Sequence, residues 1–213
     1  MATNSNIAGK LLKPSTTKAK ITNISSLDQG RFINLKKLEY ISPDGSNRVW
    51  EMATRPTKPE NSPVDAVIII PVLKYSNGTK KIVLVRQFRP PTRGICVEFP
   101  AGLVDPGDSL ETCALRELKE ECGYVGEVQK VGGVAFGDPG LTDASCSMIW
   151  VTVDMEREEN KNPQPNWMDG EVIEVVEVEI NQLGSKIEQW RKEGYGIDSR
   201  VESVVIGLNL LNL

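Results

Sequence analysis

The sequence predicts an α+β fold or a mixed-sheet sandwich, not a doubly wound parallel sheet. Three observations carry this. Strand-like and helix-like patterns follow one another without regular β-α alternation. Residues 66–88 read as a strong antiparallel hairpin, two apolar runs around SNGT with Asn77-Gly78 in the loop. One segment, beginning near Asp108 and ending at Gly123, has an unmistakable helical period.

In chain order, residues 1–27 carry Lys10, Lys13, Lys18 and Lys20, several Ser and Thr, and neither acid nor Arg before Asp28. They read as a flexible tail, since a mitochondrial leader is usually rich in Arg. Residues 31–40 alternate apolar and polar as a half-buried strand does, 43–47 (PDGSN) signal a turn, and 48–54 return as a second strand. Residues 55–64 hold three prolines and form a connector, so that 28–60 make a hairpin with its linker and 61–213 make the main domain. After the 66–88 hairpin, 96–102 predict one short strand. In the helical segment Leu110, Ala114 and Leu118 give the buried face, Asp108 or Ser109 the N-cap, Asp108 with Glu111 a capping box, and Gly123 the C-cap. A loop at 132–145, a strand at 146–154, a polar loop at 158–170, a strand at 172–180, a helix near 181–193 and a last helix from Asp198 complete the pattern.

Composition narrows the chemistry. The 213 residues are 39% hydrophobic and 25% charged, a balance that suits a folded domain with a sizeable core. The net charge of −4 disfavours non-specific binding to nucleic acid. There is no histidine, which removes imidazole general bases, Ser-His-Asp relays and His-ligated zinc. Acid–base work falls to Asp, Glu, Lys, Tyr or Cys, and a metal site to oxygen or sulfur. Cys96, Cys113, Cys122 and Cys146 include no C-x-x-C pair and read as reduced thiols. The longest apolar run, 66–73, is broken by Pro71 and too short to cross a bilayer. A cytoplasmic protein, or a nuclear one, fits these features.

The chemistry concentrates in residues 102–124, GLVDPGDSLETCALRELKEECGY. Glu117, Glu120 and Glu121 stand at i, i+3 and i+4, on one side of a helix with Cβ atoms about 5–6 Å apart. Two carboxylates about 6 Å apart repel by roughly 3 kcal/mol at an effective dielectric near 20. The cluster is therefore cheap on an open face and costly in a cleft without a cation. Its oxygens suit Mg²⁺ or Mn²⁺. Read alone, it is more often a solvated helix face partnered by Arg116 and Lys119.

The stretch resembles the signature of the Nudix hydrolases, G-x5-E-x7-R-E-U-x-E-E-x-G-U with U a bulky apolar residue. Gly102, Arg116, Glu117, Leu118, Glu120, Glu121 and Gly123 match it, Tyr124 fills the last bulky slot, and Asp108 departs from the family's Glu. The resemblance implies a mixed sheet sandwiched between helices and hydrolysis of a nucleoside diphosphate linked to another moiety. The family's first Glu orients the Arg, so the shorter Asp108 implies a strained or water-bridged pair with Arg116.

Further segments, VRQFRPP (85–91), EFPAG (98–102), DPGL (138–141) and DGE (169–171), run in the order seen in the ADP-ribose and ADP-sugar pyrophosphatases of this family. The resemblance covers roughly residues 28–210. It implies that Glu117, Glu120, Glu121 and the carbonyl of Ala101 hold Mg²⁺ or Mn²⁺, with Glu120 and Arg116 in the catalytic machinery. Glu171 matches the loop acid that activates or orients water. Phe32 and Trp50 match the aromatic pair that clamps adenine, Glu51 and Arg55 the contacts to its edge, Arg89 and Glu98 those near the phosphates and terminal ribose, and Asp138 a terminal-ribose contact. A homodimer is implied, and an isolated two-stranded ribbon such as 31–54 needs added surface to bury. The implied reaction turns ADP-ribose or related ADP-sugars into AMP and a sugar phosphate, ribose 5-phosphate for ADP-ribose. Other nucleoside diphosphates (oxidised nucleotides, UDP- or GDP-sugars), or a catalytically weak nucleotide-binding module, are the alternatives.

Overall fold

The computed structural model describes residues 30–41, 45–167 and 172–211. The expected tail at 1–27 and part of the 43–47 turn lie outside them. Among the described residues, eleven strands and four α-helices follow in chain order: β1 (Asn34–Ile41), β2 (Asn47–Thr54), β3 (Ala66–Lys74), β4 (Lys80–Arg89), β5 (Gly94–Glu98), β6 (Ala101–Leu103), α1 (Leu110–Cys122), β7 (Glu127–Val131), β8 (Ala135–Phe136), β9 (Ser145–Asp154), α2 (Glu158–Lys161), β10 (Ile173–Glu179), α3 (Leu183–Lys192), β11 (Gly196–Ile197) and α4 (Ser199–Leu210).

β1 and β2 form a separate antiparallel ribbon. The other nine strands form one mixed sheet with the path β11-β5-β4-β3-β9-β7, onto which β10, β6 and β8 pair with β4, β3 and β9. The hairpin β3–β4 turns at Gly78, whose φ of +84° only glycine adopts without strain. β3 and β9 run parallel through nine residue pairs, an arrangement that sequence-adjacent hairpins cannot supply.

The two-residue period of the strands divides the interior. Val67, Ile69, Leu73, Val83 and Val85 pack with Cys113, Ala114, Leu118 and Cys122 of α1. Their neighbours Ile68, Ile82 and Leu84 join Leu183, Ile187 and Trp190 of α3 and Val201 and Val205 of α4. Each face is covered, so the central strands are apolar on both sides.

The strand predicted over 96–102 is two strands. β5 pairs with β4 as far as Glu98, and β6 pairs with β3 from Ala101. Pro100 between them has no N–H to donate, and its carbonyl accepts from Ile69 N at 2.8 Å. Of the two expected cap residues the second serves, and the Asp108–Glu111 capping box does not form. Ser109, not Asp108, caps α1, accepting from Thr112 N at 3.1 Å, while Asp108 turns to Arg116. A hydroxyl serves the N-terminal amides, and the carboxylate is drawn to the stronger charge.

On the α1 side, Glu177 of β10 accepts from Tyr124 (2.6 Å), Lys81 (2.8 Å) and Tyr75 (3.0 Å). Burial pushes its carboxyl up, but these donors outweigh that and hold it below its usual value. A depressed carboxyl contributes stability that is complete above the unfolded pKa, about 4.3, and is lost as pH falls through the folded one. Urea midpoints of wild type and Glu177→Gln are therefore expected to lie farthest apart near neutrality and to converge below about pH 4. A gap that stays constant on acidification would show that the carboxylate charge contributes nothing.

Candidate active site

The site is built where α1 meets β6. Gly102 lies directly under Glu117: a Cβ at Gly102 would fall 1.9 Å from the Glu117 Cδ. The absent side chain is thus the space in which that carboxylate lies. One turn on, the buried Glu121 reaches the same strand and accepts from Ala101 N at 3.0 Å. Two carboxylates from adjacent turns so converge on the Ala101–Gly102 backbone.

Arg116 organises the exposed side of this cluster. Its Nη1 donates to Glu117 Oε1 at 2.8 Å and to Glu120 Oε2 at 3.1 Å. Its Nη2 lies 3.2 Å from Asp105 Oδ2 and 3.3 Å from Asp108 Oδ2. Burial disfavours the charged guanidinium, yet the surrounding carboxylates, Glu117 foremost, raise its pKa and keep it cationic. The Asp108 contact is direct but long, with Nε and Nη2 sharing one oxygen at 3.4 and 3.3 Å. The missing methylene therefore shows as a stretched contact, and Asp105, which sequence reasoning did not single out, supplies a second one. Cys113, on the buried face of α1, is no base: burial pushes its thiol up to about 11.

Among the described residues, no three acidic or cysteine side chains gather closely enough to cage an ion by themselves. Mg²⁺ does not need such a cage. It is held through one or two carboxylates, keeps several waters and takes further oxygens from substrate phosphate. The donors that meet at β6, carboxylates beside a backbone carbonyl, fit that chemistry.

β6 borders an open cleft of about 820 Å³, lined among others by Arg55, Arg89, Glu98, Ala101, Gly102 and Arg200. A smaller hollow of about 350 Å³ adjoins it, sharing Arg55, Leu103 and Arg200 and adding Asp138. Thus Arg89, Glu98 and Ala101 line the larger space, Asp138 the smaller, and Arg55 both. Arg89 and Glu98 form a two-pronged pair at 2.7 and 2.8 Å. The Asp138 carbonyl also closes a turn, accepting from Leu141 N and Thr142 N.

Phe32, Trp50 and Glu51 line neither of these two spaces. Both aromatic rings are exposed, Phe32 ahead of β1 and Trp50 on β2. Trp50 donates its indole N–H to Gly140 O at 3.0 Å, and Ala53 N donates to Leu141 O at 2.9 Å, so the ribbon docks on the 138–141 loop. Glu171 lies outside the described residues. The loop that leads towards it is anchored on α1: Asn166 N donates to Glu120 O at 2.8 Å, and Trp167 Nε1 to Glu121 O at 3.0 Å. These bonds satisfy carbonyls left over at a helix C-terminus. No sequence pattern announces them, because the partners are more than 40 residues apart.

A family model for the NUDIX domain matches residues 63–198. The chain is 40% identical over 179 residues to an ADP-ribose pyrophosphatase of Saccharomyces cerevisiae, covering 84% of this chain and 77% of that protein. It is 35% identical over 193 residues to an ADP-sugar pyrophosphatase of Mus musculus, covering 90% and 88%. A crystal structure of an ADP compounds hydrolase superposes with a TM-score of 0.60 at 20% identity, covering 92% of this chain and 96% of the other, a likeness of fold.

Proposed function

We propose, from the premise that this chain belongs to the Nudix family, that it hydrolyses the diphosphate bond of ADP-ribose and related ADP-sugars. Water adds to one phosphorus and the bridging P–O bond breaks. AMP and ribose 5-phosphate leave from ADP-ribose, and the water's proton passes to a base. The observation that carries this reading is the meeting of Glu117 and Glu121 on the Ala101–Gly102 strand at the edge of an arginine-lined cleft. The names of the yeast and mouse relatives support the choice of substrate.

Glu117, Glu120, Glu121 and the Ala101 carbonyl would hold Mg²⁺ or Mn²⁺. When bound, such an ion neutralises phosphate charge and acidifies a coordinated water. Arg116 keeps Glu117 and Glu120 in their rotamers. Arg89, held by Glu98, presents a guanidinium to the phosphates and terminal ribose, and Arg55 and Asp138 border the space for the nucleoside and sugar. Glu171 is the proposed proton acceptor, on the strength of its D-G-E motif and of a chain without histidine.

The same reading makes the protein a homodimer with the N-terminal ribbon in the interface. Ile33, Leu35, Leu38, Ile41, Val49, Phe32 and Trp50 are all exposed there, apolar side chains that a partner's ribbon would cover. A partner's ribbon would bring Phe32, Trp50 and Glu51 to the base. The four free, buried cysteines support a reducing compartment, cytoplasmic or nuclear. Among the described residues no helix is long and apolar enough to cross a membrane.

Product analysis on a panel of nucleoside diphosphates tests the reading. ADP-ribose with Mg²⁺ is expected to give AMP and ribose 5-phosphate, with loss of turnover in chelator and recovery on adding Mg²⁺ or Mn²⁺. Absence of AMP, or a clear preference for a guanine or uracil diphosphate, would overturn it.

A further inference from the structure

Beside the Arg89–Glu98 pair stands a second pair that no motif announces. β11 runs parallel to β5, with Gly196 opposite Cys96 and Ile197 opposite Val97, and Asp198 N then donates to Val97 O at 3.0 Å. That register brings Asp198 next to Glu98. Asp198 caps α4, accepting from Arg200 N at 2.8 Å, and also takes the Arg200 guanidinium, with Nε to Oδ1 at 2.7 Å and Nη2 to Oδ2.

The two pairs share a design. Each carboxylate is sunk in the cleft wall while its arginine stays open: side-chain exposure is 10% for Glu98 against 43% for Arg89, and 15% for Asp198 against 35% for Arg200. Burial pushes the Asp198 carboxyl up, but the Arg200 hydrogen bonds hold it below its usual value, so the pair is ionised at neutral pH. A guanidinium has five N–H donors in a rigid fork, and the carboxylate occupies only one edge of it. The remaining donors are fixed in direction before any ligand arrives, which lowers the ordering cost of binding. Arg200 borders both the larger cleft and the adjoining hollow, and only Arg55 among the other cationic residues does the same. It lies just past residue 198, where the family match ends.

We infer that Arg200 is a substrate-binding residue, held by Asp198, which donates to the oxygens of a 5-phosphoribosyl unit at the junction of the two spaces. The inference rests on the diphosphatase reading. Both halves of ADP-ribose contain that unit, and the products separate them. AMP and ribose 5-phosphate, used as inhibitors, report which half meets Arg200.

The test compares the full-length wild-type protein with Arg200→Met and Arg200→Lys. Met keeps the packing stem and Lys keeps the charge without the fork. For ADP-ribose, KM is expected to rise about tenfold in both variants, the loss of one or two hydrogen bonds from a charged donor, with kcat within about twofold. Inhibition by one of the two products is expected to weaken by a similar factor while the other is unchanged. Thermal midpoints serve as the structural control. Unchanged KM and unchanged inhibition by both products would overturn the inference, whether or not the midpoint falls. Calorimetric binding of ADP-ribose without metal is the second readout: weaker binding to both variants supports the role even if wild type turns over no ADP-ribose, and equal binding sinks it. Failure of the diphosphatase reading itself would show separately, as absence of AMP from wild type.

Discussion

Glu121→Gln is expected to lower ADP-ribose turnover by about 10²–10³-fold, the scale on which losing one electrostatic contact to the reacting charge is felt. The side chain is buried, and its Oε2 accepts from Ala101 N. Glutamine keeps the shape and can still accept that hydrogen bond through its amide oxygen. What disappears is one negative charge among Glu117, Glu120 and Glu121, the charge proposed to hold a divalent cation. Like charges repel in this cluster, so removing one does not weaken the fold. The thermal midpoint is accordingly expected to match or exceed that of wild type, while the Mg²⁺ concentration giving half-maximal rate rises. Steady-state kinetics against Mg²⁺, with a melting curve on the same sample, read both. A variant that retained more than a tenth of wild-type turnover would remove Glu121 from the metal site.

Gly102→Ala is expected to separate stability from activity in a different way. The new methyl would meet Glu117 at 1.9 Å from Cδ, 2.1 Å from Oε1 and 2.5 Å from Cγ. All three atoms belong to the outer part of a flexible side chain, so the fold relieves the clash by rotating Glu117 away, at little cost in stability. Activity has no such relief. Displacing a reacting-site group by about 1 Å costs on the order of 10²-fold in rate. The expected result is a folded protein with nearly the wild-type melting curve and turnover reduced about a hundredfold. Full activity would show that the Glu117 rotamer over Gly102 is not the working one.

How legible all this was from sequence depends on how far apart the cooperating residues lie. Glu117, Glu120 and Glu121 share a side because helical geometry fixes i, i+3 and i+4. The β3–β4 turn was legible because Gly78 needs a positive φ. Gly102 was visible only through its motif, and the structure supplies the reason, the Glu117 carboxylate lying over it. Local rules left the cap open between Asp108 and Ser109, and the pull of Arg116 on the Asp108 carboxylate decides it for Ser109. The break at Phe99-Pro100 was hidden because strand propensity does not say which neighbour a strand will choose. Asp198 was legible as the start of the last helix, but the place of the Asp198–Arg200 pair at the cleft was not, because it depends on the β11–β5 pairing across some 100 residues of chain.

That same pairing bears on how the protein behaves when crowded. A long bare strand at the border of a sheet is a template for fibrous growth between molecules. Here the two outermost strands of the path are poor templates. β11 is two residues long, and β7 is irregular between Val128 and Lys130 and carries that lysine. Polymerisation through these two strands is therefore discouraged, and sticky encounters are left to the greasy N-terminal ribbon, where a closed twofold arrangement would end them at two copies.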